Sequence, residues 1–196
     1  MKLSVASDLD LGTTADDRFV TWLDLAARDG AVQTARARVA LVHVGEIADD
    51  HGDLWRALHG SGLAHLHDVY FQQGWYKDAY AEGAGIDLLF VSSLEVASQA
   101  RGRNLDLAVV RRTCETLASG CQLVVLPYAN PLEAAHWAQL GFEISTPGRA
   151  SGLIHLAMGT RHPQVIDRLG DGSFEVVGGC TSGPFAPSAA RFGFQS

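Results

Sequence analysis

The sequence predicts a single domain of the α/β class. At 196 residues the chain has the length of one ordinary domain. Apolar residues make up 47% of it and charged residues 19%, so it can bury a sizeable core. Two apolar runs typical of buried strands, residues 87–96 and 122–126, alternate with helical patterns at 107–119 and 131–140. We expect no internal domain linker, and a loosely structured extension from about residue 160.

The first part of the chain predicts one strand, one helix and a second strand. Residues 2–6 are expected to form a short strand. The Thr pair at residues 13–14 precedes acidic residues, which suits a helix start, and Gly30 would end that helix. Residues 36–44 alternate like a mostly buried strand. Residues 49–82 are then expected to be mainly helical.

The helix at 131–140 has the clearest start signal in the chain. Asn130 suits the N-cap, Pro131 the first helical position, and Glu133 the third position of a capping box. Gly141 would end the helix, because glycine readily adopts the backbone conformation that follows a helix.

The remaining residues predict smaller elements. Strands are expected at 142–145 and 152–158, separated by a turn, and a short helix at 162–169. An Asp-Gly hairpin turn precedes a strand at 174–177. Residues 178–196 are rich in Gly, Pro and Ser, and they predict either a docked segment or a partly ordered tail.

Charge and cysteine content exclude several classes of protein. The net charge is −7, which is unlike the basic surface of a nucleic-acid-binding protein. Cys114, Cys121 and Cys180 have no regular spacing, so neither a disulfide framework nor a zinc site is expected. The first residues lack an apolar signal core, and no run reaches the ~18 apolar residues of a membrane span. We therefore expect a cytoplasmic protein without nucleic-acid or membrane partners.

A basic turn joins the predicted strand at 87–96 to the helix at 107–119. The turn reads Arg-Gly-Arg-Asn-Leu-Asp at residues 101–106 and opens directly into the helix. Unpaired backbone N–H groups and the positive end of the helix dipole favour an anion at such a place. The pattern therefore predicts a site for a pyrophosphate or a similar anion.

Four short segments follow one another at characteristic distances. They are Leu94-Glu95-Val96, Arg101-Gly102-Arg103, the helix start at Asn130, and Leu140-Gly141-Phe142. Together they resemble the GNAT superfamily of acyl-CoA-dependent N-acyltransferases, over roughly a third of the chain. The resemblance implies a mixed, mostly antiparallel sheet with helices on both faces, splayed between its two central strands, which here would be 87–96 and 122–126.

The resemblance also implies that acetyl-CoA or another acyl-CoA binds as co-substrate, without a metal. Its pantetheine arm would lie in the splay, against the backbone of Leu94, Glu95 and Val96. The residues that would hold the pyrophosphate share one turn and helix start: Arg101, Gly102, Arg103, Asn104, Leu105 and Asp106. On the next helix, Asn130 and Trp137 would also lie against the cofactor.

Three residues depart from the pattern of the family. Asn104 and Asp106 stand where it usually has small residues. A carboxylate ~6 Å from a pyrophosphate repels it by roughly 1–3 kcal/mol, although Asp106 could instead stabilise the helix start. Trp137 stands where many members carry a Tyr that protonates the leaving thiolate, and an indole N–H cannot supply that proton.

Direct acyl transfer to an amine needs a base, for which Glu95 or a water molecule is the candidate. Glu95 faces either the splay or the opposite surface of the sheet. His136 is a second catalytic candidate, although it lies about 100° around the helix from Trp137. His43 suits the core, and His155 could point towards the substrate entrance.

The leading hypothesis is an N-acyltransferase that moves an acetyl or other acyl group from coenzyme A to an amine of a small molecule or a protein. The alternative is a non-catalytic protein of the same fold that has lost normal acetyl-CoA binding and binds a partner or another ligand. A third hypothesis is an acyltransferase that takes its acyl group from a carrier protein. Since proteins of this family are often dimers, a homodimer is the expected assembly.

Overall fold

The computed structural model describes most of the chain, namely residues 1–7, 17–81, 85–159 and 164–177. Three sequence predictions lie outside these ranges: the helix start at 13–14, the segment 178–196, and Cys180 within it. The described helices contain no segment long and apolar enough to cross a lipid bilayer.

The described strands form one main sheet and two small hairpins. In chain order they are β1 (Lys2–Ala6), β2 (Val20–Asp29), β3 (Val32–Val42), β4 (Phe71–Gln72), β5 (Trp75–Tyr76), β6 (Asp87–Val96), β7 (Cys121–Pro127), β8 (Leu153–Ala157), β9 (Gln164–Arg168) and β10 (Phe174–Val177). The main sheet has the order β1-β2-β3-β6-β7-β8. Its neighbouring strands are antiparallel except for the central pair β6 and β7, which is parallel. This is the mixed, mostly antiparallel sheet expected from the sequence.

Helices cover both faces of the main sheet. They are α1 (Val44–Asp49), α2 (Leu54–Gly60), α3 (Ala64–Tyr70), α4 (Leu105–Leu117), α5 (Pro131–Ala138) and α6 (Thr146–Ser151). Leu88 and Phe90 of β6 belong to the core under α1–α3, whereas Leu89 and Val91 belong to the core under α4 and α5. Because side chains alternate between faces along a strand, burial on both faces explains the continuous apolar run that begins β6.

The two central strands separate after a short parallel contact. They pair from Asp87↔Cys121 to Phe90↔Val125, after which β6 continues to Val96 beside β3, and β7 continues beside β8. The β3–β6 register shifts between Val91 and Ser93, so Ser92 is the extra residue of a β-bulge near the point of separation. The splay between the central strands, expected from the resemblance, is therefore present.

Two predictions for the first part of the chain need correction. The helix expected to end at Gly30 is wrong, because residues 20–29 form β2, which turns at Gly30 (φ 60°) directly into β3. Its apolar residues pack within the sheet at strand spacing, and that tertiary pairing overrides the weak helical pattern. The helical segment expected at 49–82 is only partly right, since α3 ends at Tyr70 and is followed by the β4–β5 hairpin.

The second part of the chain shows similar corrections. The strand expected at 142–145 is a single bridge between Glu143 and His155. The turn expected after it is the helix α6, because Ser145 Oγ accepts a hydrogen bond from the Gly148 N–H at 3.0 Å and caps it. The helix expected at 162–169 is wrong, since residues 164–168 form β9, paired with β10. The strands expected at 152–158 and 174–177 are confirmed as β8 and β10.

Asn130 caps α5 as the sequence predicts. Its Oδ1 accepts hydrogen bonds from the N–H groups of Leu132 and Glu133, both at 3.0 Å. The Glu133 carboxylate accepts from the Ala129 N–H at 2.8 Å, one residue earlier than in a standard capping box. Both contacts satisfy backbone N–H groups at the start of α5.

Replacing Asn130 by Ala should lower the free energy of unfolding by about 1 kcal/mol, because two N–H groups at the helix start lose their acceptor. Urea unfolding followed by circular dichroism measures the change. Leu132→Ala is the matched control, since Leu132 lies in the same turn, is 84% exposed and should change stability little. Equal losses for both variants would contradict the assigned cap.

Candidate functional site

A groove of about 790 Å³ lies where the central strands separate. It is lined by the first residues of β3, the last residues of β6, the turn that follows, the start of α4 and one side of α5. The predicted site residues that line it are Leu94, Glu95, Val96, Arg101, Gly102, Asp106 and Trp137. Of the other groove residues, Arg36 and Glu133 were not predicted as site residues from the sequence.

The open edge of β6 directs backbone groups into the splay. The Ala97 N–H donates to the Thr34 carbonyl at 2.9 Å, so this pair is hydrogen-bonded across β6 and β3. Since hydrogen-bonded pairs alternate along antiparallel strands, Leu94 and Val96 direct their N–H and C=O groups away from β3. In agreement, the Val96 carbonyl accepts from Arg101 Nε at 3.2 Å.

The turn before α4 is held by the hairpin β9–β10. Asn104 has a left-handed backbone (φ 54°), which Asn tolerates better than most residues. Its side-chain Nδ2 donates to the Phe174 carbonyl at 3.0 Å, and the Phe174 N–H donates to the Arg103 carbonyl at 2.9 Å. Asn104 therefore has a structural reason to occupy a position where the family usually has a small residue.

The same turn leaves several backbone donors free. Within the described ranges, the N–H groups of Gly102, Asn104 and Leu105 donate no hydrogen bond of good geometry. These groups surround the N-terminal end of α4, where the helix dipole is positive. They are the part of the turn best suited to contact an anion.

The two arginines of the turn lie in different places. Arg101 lines the groove, in keeping with its predicted role. Arg103 instead lines a second cavity of about 230 Å³, together with Asp29, Arg168 and Phe174. The prediction that both arginines face one anion is therefore not supported by their positions.

Asp106 and His136 form a hydrogen-bonded pair at the start of α4. Asp106 Oδ2 lies 2.7 Å from His136 Nε2, and its Oδ1 accepts from the Leu107 N–H at 3.0 Å. Burial is the largest single influence on Asp106 and raises its pKa, but the hydrogen bond and positive charge of His136 together with the backbone hydrogen bonds outweigh it, so the Asp106 pKa is lowered. The same bond raises the pKa of His136. The carboxylate thus accepts a hydrogen bond from one N–H group of the helix start, in the region where the sequence predicts an anion.

The pair should make stability depend on pH. The raised His136 pKa stabilises the fold below the pKa of an unfolded His, and this contribution is lost as pH rises through the folded value. The lowered Asp106 pKa stabilises the fold at pH values above the pKa of an unfolded Asp. This contribution is lost as pH falls through the pKa of Asp106 in the folded state. The joint contribution is therefore largest between roughly pH 4 and 6.5.

His136→Ala should lower the free energy of unfolding by about 1 kcal/mol at pH 6 and by less at pH 9, when the imidazole has lost its proton. Urea unfolding at the two pH values gives the difference. The matched control is Arg112→Ala, because Arg112 pairs with Glu115 at 3.2 Å in an ion pair that contains no histidine. A loss for His136→Ala that is the same at both pH values would refute the pairing.

Glu95 is held by Arg36 of the neighbouring strand. Arg36 Nε and Nη2 lie 3.0 and 2.8 Å from the same carboxylate oxygen, and both side chains are exposed. Ala35 and Ala37 face α4, so Arg36 and its register partner Glu95 face the side of the sheet that carries α1–α3. Of the two directions expected from the sequence, Glu95 therefore points to a surface of the sheet, the one that carries α1–α3. Only the strand register, which the sequence does not show, could have identified Arg36.

Trp137 is a buried part of the groove wall. Its side chain is 6% exposed and packs against the rings of His136 and Phe142. The indole Nε1 has no hydrogen-bond acceptor among the described residues. Asn130, in contrast, lies at the start of α5 outside the groove lining, and its contact with a cofactor stays a prediction.

The other histidines singled out from the sequence lie away from the groove. His155 packs against Tyr70 and Tyr80, with ring centroids 5.9 and 5.1 Å away, and burial lowers its pKa to about 4. His43 lies at the opposite end of β6, with its Nε2 3.0 Å from Thr21 Oγ1. The described residues contain no group of three or more His, Cys, Asp or Glu side chains placed to hold a metal.

No protein-family model and no curated protein sequence matches this chain. Among solved structures, it is similar to a polyamine N-acetyltransferase from Drosophila melanogaster that catalyses the formation of N-acetylagmatine. The identity is 16% and the TM-score 0.40, over 69% of this chain and 74% of the other. It is also similar to an agmatine N-acetyltransferase mutant in its apo form, at 17% identity and a TM-score of 0.38, with the same coverage. The mixed, mostly antiparallel sheet, its splay and the turn at α4 agree with the GNAT-like fold that the sequence resemblance implies.

Proposed function

We propose that this chain is an N-acyltransferase that moves an acetyl or other acyl group from coenzyme A to an amine. The observation that carries the proposal is the splay between β6 and β7, which opens beside the start of α4. The backbone groups of Leu94 and Val96 on one side and the free N–H groups of the turn on the other suit a long ligand with an amide-containing arm and an anionic end.

The residues suggest how the acyl donor would be held. Its pantetheine arm would add to the open edge of β6 by backbone hydrogen bonds at Leu94 and Val96, as an extended peptide adds to a sheet edge. Its pyrophosphate would lie on the N–H groups of Gly102 and Leu105, with Arg101 contributing positive charge. The Arg103 side chain would not take part, because it lines the other cavity. The Leu105 side chain lines that cavity as well, but the Leu105 N–H is at the first position of α4.

The proposed reaction is a direct transfer. The nitrogen of the neutral amine attacks the thioester carbonyl and forms the amide bond, while the carbon–sulfur bond breaks and coenzyme A leaves as its thiolate. The proton lost by the attacking nitrogen passes to water or to Glu95. Glu95 lines the groove, but its carboxylate is engaged by Arg36 and would have to release it. His136 is the second catalytic candidate, although its Nε2 is bonded to Asp106.

Titration calorimetry with acetyl-CoA and with coenzyme A tests the proposal. Saturable binding of both below millimolar concentration is expected, followed by acetyl transfer to at least one member of an amine panel that includes amino acids, polyamines, arylamines and peptides. Absence of binding at millimolar concentration would remove the proposal. A turnover assay with an acylated carrier protein then decides whether the donor is a protein instead.

A second candidate is a non-catalytic protein of the same fold, and the Asp106–His136 pair favours it. The pair places a carboxylate where the pyrophosphate would approach the helix. The charged side chains lining the groove are Arg36, Arg101, Glu95, Asp106 and Glu133. Acidic side chains outnumber basic ones in this set, so its charge suits a polyanion poorly. The effect of replacing Asp106 on coenzyme A affinity separates the two candidates.

A further inference from the structure

The second cavity lies between the turn before α4 and the hairpin β9–β10. The turn contributes Arg103 to its lining, and the hairpin contributes Arg168. Apolar side chains also line it, namely Val32, Ala100, Leu105 and Phe174. With a volume of about 230 Å³, two cationic groups and apolar walls, the cavity has the size and chemistry of a site for a small organic anion.

The two guanidinium groups converge beside Gly172, in the turn of the hairpin. A Cβ atom added at Gly172 would lie 3.0 Å from Arg168 Nη2, 3.1 Å from Arg168 Nε and 3.2 Å from Arg103 Nη1. The three nitrogens therefore border one small space, which no side chain of residue 172 enters. The backbone of Gly172 (φ 83°) is also in a conformation that favours glycine.

These three nitrogens keep their hydrogen-bonding capacity for a ligand. Arg168 Nη1 pairs with Asp29 Oδ2, whereas Arg168 Nε and Nη2 donate no hydrogen bond of good geometry within the described ranges. Nε and Nη2 form the edge of a guanidinium group that can bind a carboxylate or a phosphate through two parallel hydrogen bonds. The Arg103 guanidinium likewise forms no ion pair or hydrogen bond with the part of the chain that the structure describes.

The charges around the cavity favour one further anion. The described side chains that line it carry two positive charges, on Arg103 and Arg168, and one negative charge, on Asp29. Asp171 lies outside the lining, and hydrogen bonds from Ser173 lower its pKa, to which the charge of Arg103 adds. Two neighbouring guanidinium groups repel each other, and an anion between them would replace this repulsion by attraction.

We propose that the second cavity binds a small organic oxyanion, a carboxylate or a phosphate monoester with a short apolar body. The Nε–Nη2 edge of Arg168 would hold two oxygens of the anion, Arg103 would donate to one of them, and the body would lie against Leu105 and Phe174. Because Arg103 belongs to the turn and Arg168 to the hairpin, the ligand would tie the hairpin to the turn. The site does not require an acyl donor in the groove, so it goes beyond the proposed function.

Proton–nitrogen NMR of the arginine Nε–H groups tests the site directly. The probes are butanoate, butyl phosphate and neutral butanamide, added at constant ionic strength, and the signals missing in Arg103→Gln and Arg168→Gln identify the two residues. At least one of the two anions should move the Arg168 signal downfield and saturably, whereas butanamide should not. A response to butanoate alone identifies a carboxylate ligand, and a response to butyl phosphate alone identifies a phosphate monoester.

Affinity for the anion that responds supplies the second measurement. Arg103→Gln and Arg168→Gln should each weaken its binding about tenfold. Arg112→Gln is the matched control, because it removes one positive charge from α4 outside the cavity, and it should weaken binding less than about twofold. If Arg168→Gln does not fold without the pair to Asp29, Arg103→Gln still tests the site, since its side chain pairs with no described residue.

The outcomes separate this inference from the proposed function. The absence of a saturable response to both anions overturns the inference, and so does an affinity that Arg103→Gln leaves unchanged. Displacement of the anion by coenzyme A would make the cavity part of the donor site and would overturn a separate site. If coenzyme A does not bind but one of the anions does, the proposed function is wrong and the inference stands.

Discussion

Asp106→Asn should tighten coenzyme A binding by about 1–3 kcal/mol at pH 8.5, or roughly 5- to 150-fold. The substitution removes a negative charge from the place where the pyrophosphate approaches α4, while the Asn side chain can still accept from the Leu107 N–H. Titration calorimetry measures the change. Glu115→Gln is the matched control, because it removes one charge from the same helix at a position that pairs with Arg111 and Arg112.

The effect of Asp106→Asn should depend on pH, because His136 is the partner of the carboxylate. At pH 6 the imidazolium, whose pKa is raised by Asp106, leaves the pair close to neutral, so the substitution should matter less. As pH rises through the His136 pKa, the pair becomes negative and affinity of the unaltered protein should fall. An affinity gain that is equal at pH 6 and 8.5 would contradict this account.

The result also decides between the two proposed functions. An unaltered protein that binds coenzyme A measurably, with a moderate gain on substitution, supports the acyltransferase. If the unaltered protein shows no binding and Asp106→Asn creates it, the non-catalytic candidate is supported. If neither protein binds, Asp106 is not what excludes the cofactor, and the non-catalytic candidate loses its main argument.

Leu107→Ala should be the most destabilising of the substitutions considered, at about 2–5 kcal/mol. Leu107 is 0% exposed and packs α4 on the sheet, so truncation leaves a cavity next to the turn that borders the groove. For a chain of this size the melting temperature should fall by roughly 5–15 °C, as calorimetry would show. Leu132→Ala on exposed α5 surface is the control. A loss below about 1 kcal/mol would mean that α4 packs differently.

The segment 87–140 could be predicted because its elements are marked locally. The β6 bounds follow from one apolar run, and Asn130, Pro131 and Glu133 define the start of α5 within a few residues. The strand β2 could not be predicted, since it has no regular alternation and is a strand only because β1 and β3 pair with it. Local propensity is a weak guide wherever such long-range pairing decides the structure.

The candidate site also contains residues that the sequence predicts and contacts that it does not. Leu94, Arg101 and Asp106 were predicted from one continuous segment, and the structure places all three at the groove. No local pattern predicts the two side-chain pairs at the groove. Arg36 and Glu95 are 59 positions apart in the sequence, and Asp106 and His136 are 30 positions apart. Arg103 was expected to face the same anion as Arg101. The fold of the turn instead places Arg101 at the groove and Arg103 at the second cavity.

The contact between the turn and the hairpin β9–β10 has a thermodynamic consequence. Asn104 and Arg103 are each hydrogen-bonded to Phe174, so the conformation of the turn and the docking of β10 are one linked equilibrium. By reciprocity, a ligand that prefers the ordered turn must also favour the docked hairpin, by the same coupling free energy. Hydrogen–deuterium exchange should then slow at the amides of β10 when a ligand occupies the groove, although β10 does not line it.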